Sequence, residues 1–387
     1  MSRNEKSVIL HHGVFKKPLS INNAIFMITG MTIGAGILGI PYVVAQIGLL
    51  PGILYIAVLG TIMLFFNLMI GEIVLRTKES FQLPGLVGKY LGKPAKILMS
   101  IVVVLGGLGT LLAYIIGEGQ ALAALLGGIP MWWSVVFWAI GSVLVWRGLQ
   151  TIKTAEKIFS IIVIGIILGL SFSILPQLQT TNLVYFNFSN ILIPFGVILF
   201  ALNVSPSIAE AHALLPDDPE KFRKALILGT MIPIAVYILF ALAVVGVMGK
   251  DVTQIATIGL SQKFGSVVGL LGNLFAVLAM GTGFMGLGVA LKQSLIWDWK
   301  VSTFSSTLFV ILVPLTLFMV GFNNFITILG VVGGLFMGIE VILMVLVYWI
   351  AKKAGDLPVA HDGLRYAGLF TALILTVFTI ATVASIL

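Results

Sequence analysis

The stretch T-G-M-T-I-G-A-G-I-L-G-I-P-Y, Thr29 to Tyr42, decides how this chain is read. It lies inside an apolar run long enough to cross a bilayer. Yet Gly30, Gly34, Gly36, Gly39 and Pro41 crowd into it. Glycine loosens a helix and lets another group approach the backbone closely. In hydrocarbon, every freed N–H and C=O must find a partner. A span that loosens itself at mid-depth is therefore buried in protein, lines a cavity or holds a ligand. A small-residue face for helix packing is the alternative. The density of glycines favours a broken helix whose free peptide groups bind a small charged solute.

The rest of the chain supplies the setting. Of 387 residues, 59% are hydrophobic and 9% charged, and the mean hydropathy is +1.14. That composition describes a polytopic all-α membrane protein. Eleven apolar spans are read at 20–46, 51–75, 97–126, 131–149, 157–176, 190–212, 225–249, 266–291, 302–320, 325–350 and 366–387. The first follows a polar lead and is too long for a cleaved leader, so it is expected to stay as a helix. With the N-terminus cytoplasmic, 20 of the 22 basic residues fall in inside loops, and only Lys250 and Lys263 lie outside. This is the positive-inside rule. It accounts for the net charge of +8 without nucleic acid. The absence of cysteine excludes disulfides and thiolate metal sites.

Residues 1–19 are expected to form a cytoplasmic segment and residues 20–387 one transmembrane domain. Within it, span 6 mirrors span 1. Pro194 to Glu210 reads P-F-G-V-I-L-F-A-L-N-V-S-P-S-I-A-E, with Asn203 and Ser205 polar at mid-depth before Pro206. Spans five apart cross in opposite directions. Two interrupted helices at matching places of inverted halves are the pattern of a secondary transporter with a midplane site. The halves run over about 20–176 and 190–350, and the helix at 366–387 is an addition.

Charged residues inside spans need a reason. Glu118 lies in Y-I-I-G-E-G-Q, one turn beyond Tyr114. It reads equally as a proton carrier or amine acceptor and as a structural carboxylate. Glu340, in G-G-L-F-M-G-I-E, divides between a relay and a structural pair. Glu72 has Arg76 at i+4, which favours a local ion pair. Glu210 and Lys292 read as interfacial anchors. Thr282, in the glycine-rich G-T-G-F-M-G-L-G of span 8, offers a hydroxyl to a cation, a ligand or its own helix. The tryptophans beside spans 4 and 8 fit an interfacial belt. Metalloprotease, paired-carboxylate and Walker-type motifs are missing from the sequence, so an enzyme or an ATP-driven pump is not expected.

G-A-G-I-L-G-I-P-Y at Gly34–Tyr42, with Ala45, Gln46 and Gly48, resembles the first-helix signature of the amino acid/auxin permease family and its bacterial aromatic amino acid permease relatives, in the amino acid–polyamine–organocation superfamily. L-P-G-L-V-G-K-Y-L-G after span 2, F-A-L-N-V-S-P-S-I in span 6 and T-G-F-M-G-L-G-V-A-L in span 8 resemble the same family. The resemblance implies a LeuT-like 5+5 inverted repeat with broken helices 1 and 6. It implies import of amino acids with H+ or Na+. A neutral amino acid as substrate, no other cofactor and a monomer among lipid are expected, and the compact loops suit a cell membrane, inner or plasma. Carried over, the backbone of Ile33, Gly34, Ala35 and Gly36 would meet the substrate carboxylate. Phe200, Ala201, Asn203 and Ser205 would line the amine and side-chain pocket, and Thr282 would stand near a sodium site. Some relatives carry histidine where Ser205 stands, and some sodium-coupled ones asparagine where Gly30 stands; the second difference tilts the expectation to protons. Sodium symport, and a ligand-gated channel or sensor in the same fold, are the alternatives.

Overall fold

The computed structural model describes residues 20–79, 81–147, 152–358, 364 and 366–384. The expected segment 1–19 lies outside them. Among the described residues every regular element is helical. The order is α1 (Ile21–Thr32), α2 (Gly36–Ile47), α3 (Leu49–Arg76), α4 (Leu83–Leu91), α5 (Lys93–Leu126), α6 (Pro130–Arg147), α7 (Ile152–Ile174), α8 (Ile193–Leu202), α9 (Ser205–Leu214), α10 (Pro219–Met248), α11 (Ala256–Phe264), α12 (Ser266–Trp299), α13 (Thr303–Met319), α14 (Phe325–Val331), α15 (Met337–Ala354) and α16 (Ala367–Ala384).

Each expected apolar span holds a helix or a pair of helices. Six are long and apolar enough to cross a membrane, and the bent pair α1–α2 makes a seventh. The stretches at 157–176, 302–320 and 366–387 hold shorter apolar helices. The two largest departures from the expected ends arise because polar first or last turns escape hydropathy. α10 starts at Pro219, six residues before the apolar run, where the Asp218 carboxylate accepts from the Lys221 N–H at 2.9 Å. α12 runs on to Trp299, eight residues past the expected end.

Span 1 breaks at Ile33–Ala35 and turns by 55° between α1 and α2. Pro41 does not make this break; it sits inside α2. Span 6 is interrupted at Asn203–Val204, with Pro206 in the first turn of α9, where a missing N–H costs nothing. The two spans meet backbone to backbone. A Cβ on Gly36 would stand 2.6 Å from both Cα and Cβ of Ala201. Span 10 also meets span 6 through glycines: Gly333 leaves no room for a Cβ against the Gly196 carbonyl, nor does Gly196 against that of Gly330. Between α14 and α15 this span contains a π-turn at Val332–Phe336. Such turns insert one residue without ending a helix and frequently sit at functional sites. Thr382 of α16 donates to the Gly334 carbonyl there at 3.2 Å.

The two halves of span 1 differ in packing. α2 buries ten of its twelve residues, and α8 eight of ten, whereas α1 buries four of twelve. Met31 is 48% exposed and Pro206 is exposed too. The loop at 178–190 covers the C-terminal end of α2: Asn187 N–H donates to the Ile47 carbonyl at 3.0 Å and the Asn190 amide to that of Gln46 at 3.2 Å. That end of span 1 is thus covered, whereas at its start Ser20, Ile21, Leu214, Leu215, Asp218 and Lys221 line a groove of about 340 Å³.

Candidate functional site

The site forms where the two breaks face each other. Ile33, Ala35 and Gly36 are buried, and Gly34 is half-buried. Each break strands carbonyls that a continuous helix would satisfy. The amide that would serve Ala201, that of Ser205, is drawn away instead. Asn203 Oδ1 accepts from the Ser205 N–H at 3.1 Å and from its hydroxyl at 2.8 Å. Asn203 and Ser205 therefore satisfy each other locally, and Asn203 caps the start of α9.

The freed carbonyl of Ala201 is met from another helix. The Tyr237 hydroxyl, on fully buried Tyr237 of α10, stands 2.9 Å from it. The same hydroxyl stands 2.7 Å from the carbonyl of Thr32 at the end of α1. Sequence reasoning passed over Tyr237. The only signal is a tyrosine in the apolar run P-I-A-V-Y-I-L-F, where a buried phenol needs a partner.

Tyr114 and Glu118 of α5 face span 8. A Cβ on Gly34 would come within 3.7 Å of the Tyr114 hydroxyl, and one on Gly283 within 2.7 Å. Tyr114 thus connects the span 1 break with α12. Glu118 is fully buried, and neither carboxyl oxygen has a hydrogen-bond partner among the described residues. Its Oε1 looks onto Gly281, where a Cβ would stand 3.1 Å away. Phe137 and Phe284 flank this place, ring centroids 5.1 Å apart. A charged carboxylate in such surroundings, without a donor, is costly.

Glu340, also buried, lies close enough to Ser205 for the two side chains to interact. Span 10 thereby touches the span 6 break, a meeting that the sequence alone leaves open. Thr282 donates to its own helix, to the Leu278 carbonyl at 2.7 Å and that of Ala279 at 3.2 Å. Its lone pairs stay available, but its hydrogen is spent. Phe200 is half-buried beside Ala201.

Two acidic groups belong to the scaffold. Glu72 accepts from Arg76 at 2.8 Å, from the Tyr348 hydroxyl at 3.1 Å and from the Leu364 N–H at 3.3 Å. This joins spans 2 and 10. Outside the membrane, Asp356 accepts from the Lys78 N–H at 2.9 Å and pairs with Lys89. The Lys89 bond holds its carboxyl below the usual aspartate range. Lys292 donates to the last carbonyls of α6, Val145 at 3.3 Å and Trp146 at 3.1 Å, as an anchor at an inner helix end would. No group of three or more metal-ligating side chains occurs among the described residues.

Comparison with known proteins places this geometry. Residues 17–385 match the model described as the tryptophan/tyrosine permease family. Glutamine transporter 2 of Aliivibrio fischeri is 24% identical over 347 residues, covering 84% of this chain and 88% of the relative. Tyrosine-specific transport system 2 of Haemophilus influenzae is 26% identical, over 70% of this chain and 71% of its own length. Among solved structures, MhsT in complex with L-phenylalanine aligns over 96% of this chain and 99% of its own, with a TM-score of 0.68 at 13% identity. A manganese transporter of Eremococcus coleocola aligns over 97% and 88%, with a TM-score of 0.69 at 15% identity. At such identities the structural likeness speaks for the shared LeuT-type fold alone. The sequence relatives are transporters, not enzymes, and the protein is a multi-pass protein of the cell membrane.

Proposed function

The chain belongs to the tryptophan/tyrosine permease family, and from that premise we propose that it is a secondary active symporter importing a neutral amino acid, driven by protons. The observation that carries the reading is the apposition of two interrupted helices, Gly36 against the Ala201 backbone, at the centre of an otherwise apolar protein. The Ile33 and Gly34 N–H groups already serve the Thr29 and Thr32 carbonyls at 2.9 and 3.0 Å, so the peptide N–H groups at Ala35 and Gly36 receive the substrate carboxylate, where the start of α2 presents them with a favourable dipole. Carbonyls of Phe200–Asn203 accept the ammonium, and the Ser205–Asn203 pair closes the polar rim. Tyr114 bounds the pocket at Gly34.

The coupling proton resides on Glu118 or Glu340. Both are buried and ionisable; Glu118 has no partner among the described residues to stabilise its charge, and Glu340 lies close to Ser205 at the break. Eleven crossings in two inverted halves of five plus one, with the N-terminus inside, rock about the fixed site to alternate access. A single chain in lipid suffices. The relatives that transport tyrosine and glutamine support a neutral substrate, and the resemblance to the wider amino acid/auxin permease group extends that support.

The test is uptake of a labelled neutral amino acid panel into proteoliposomes under an imposed pH gradient, then under a sodium gradient. Accumulation driven by the pH gradient is expected. Accumulation with sodium alone would move coupling to a cation near Thr282. Binding without accumulation would make the protein a sensor or channel. No uptake or binding of any amino acid would refute the reading.

A further inference from the structure

Tyr237 lies outside the proposed substrate-contacting residues, yet its hydroxyl reaches both breaks. It stands 2.7 Å from the Thr32 carbonyl and 2.9 Å from the Ala201 carbonyl. A phenol has one hydrogen to give, so the two carbonyls share it. Their needs differ. Thr32 also accepts from the Gly34 N–H at 3.0 Å. Ala201 has lost the Ser205 amide to Asn203, and Tyr237 is the donor that reaches it. Tyr237 is fully buried, so water does not compete for the bond.

We propose that Tyr237 is a positioning residue of the transport site, whose one hydroxyl hydrogen ties the end of α1 to the end of α8 and so sets the spacing of the two breaks. This rests on the transport reading above and adds a specific control of affinity to it. The phenol acts through backbone that other residues expose, and it need not touch the substrate. The same oxygen stands between two carbonyls that a bridging cation would need, so that place is already filled.

Tyr237→Phe removes the hydroxyl and keeps the ring. In proteoliposomes with labelled L-tyrosine and L-glutamine, KM is expected to rise about 10-fold with maximal rate within about 2-fold, the size of one lost hydrogen bond. Tyr237→Gln, which restores a donor, is expected to recover part of that loss. In the substrate-free protein, amide exchange should quicken in peptides over residues 29–36 and 200–207 together. A KM unchanged in an active variant, or a fall in maximal rate alone, overturns the proposal, as does exchange that changes at one break only. An inert wild type refutes the transport reading instead; the exchange measurement then still decides the role of Tyr237. Should neither variant be recovered folded, adding L-tyrosine to the wild type must protect both peptides in parallel, and protection of a single one overturns the proposal.

Discussion

Replacing Gly36 by alanine adds one methyl group at the tightest point between the broken helices. Its Cβ would lie 2.6 Å from Cα and Cβ of Ala201 and 3.1 Å from the Ala201 nitrogen. Carbon atoms prefer about 3.5–4.0 Å, so the helices must part by about 1 Å at this crossing. The obstacle is backbone on a buried helix, which cannot swing aside as a side-chain tip can. Overpacking of this kind costs about 1–3 kcal/mol. If about 2 kcal/mol of that falls on the substrate-bound state, affinity drops about 30-fold. The assay is initial uptake rate against amino acid concentration in proteoliposomes, with Gly286→Ala as control. Gly286 lies in another glycine-rich span and has open space around its would-be Cβ. KM should rise about 30-fold in Gly36→Ala and stay within about 2-fold in Gly286→Ala. Equal KM values in Gly36→Ala and the wild type would refute the argument that these two backbones frame the substrate.

Three further outcomes are expected. Glu118→Gln should abolish accumulation driven by a pH gradient while leaving substrate binding in place, as measured by binding to purified protein alongside uptake. Glu72→Gln should keep gradient-driven uptake but lower thermal stability, costing about 1–3 kcal/mol by stripping a partly buried Arg76 and Tyr348 of their acceptor. The Asp356 carboxyl has a depressed folded-state pKa, so its bonds to Lys89 and Lys78 stabilise the fold above the usual aspartate value. That contribution fades as pH falls from about 4 through the folded pKa. Melting curves of Asp356→Asn and the wild type should therefore differ at pH 7 and draw together as pH falls below the usual aspartate value.

The breaks were legible because glycine and proline are local signals. The cluster from Gly30 to Gly39 marks span 1, and Asn203, Ser205 and Pro206 mark span 6. The side-chain alliances between spans were not. Tyr237 meets carbonyls 205 and 36 residues away in sequence, and no periodicity encodes that distance. Glu340 finds Ser205 on the same terms. Asn203 and Thr282 looked like ligand groups because a polar residue in an apolar span draws notice. In the folded chain each spends hydrogen-bonding capacity nearby, Asn203 on Ser205 and Thr282 on its own helix. Pro41 misled in the other direction, since α2 carries it without breaking.

The π-turn at Val332–Phe336 fixes the phase of span 10. In an unbroken α-helix, Gly333 and Glu340 would share one stripe, because seven residues make nearly two full turns. One inserted residue turns everything beyond it by about 100°. Gly333 abuts α8, Glu340 lies close enough to Ser205 to interact with it, and Tyr348 further on finds Glu72. Deleting a single residue within 332–336 would swing both side chains away from their partners without altering either of them. The functional face of span 10 is therefore encoded partly in residue number, and a lineage could retune it by indel rather than by substitution.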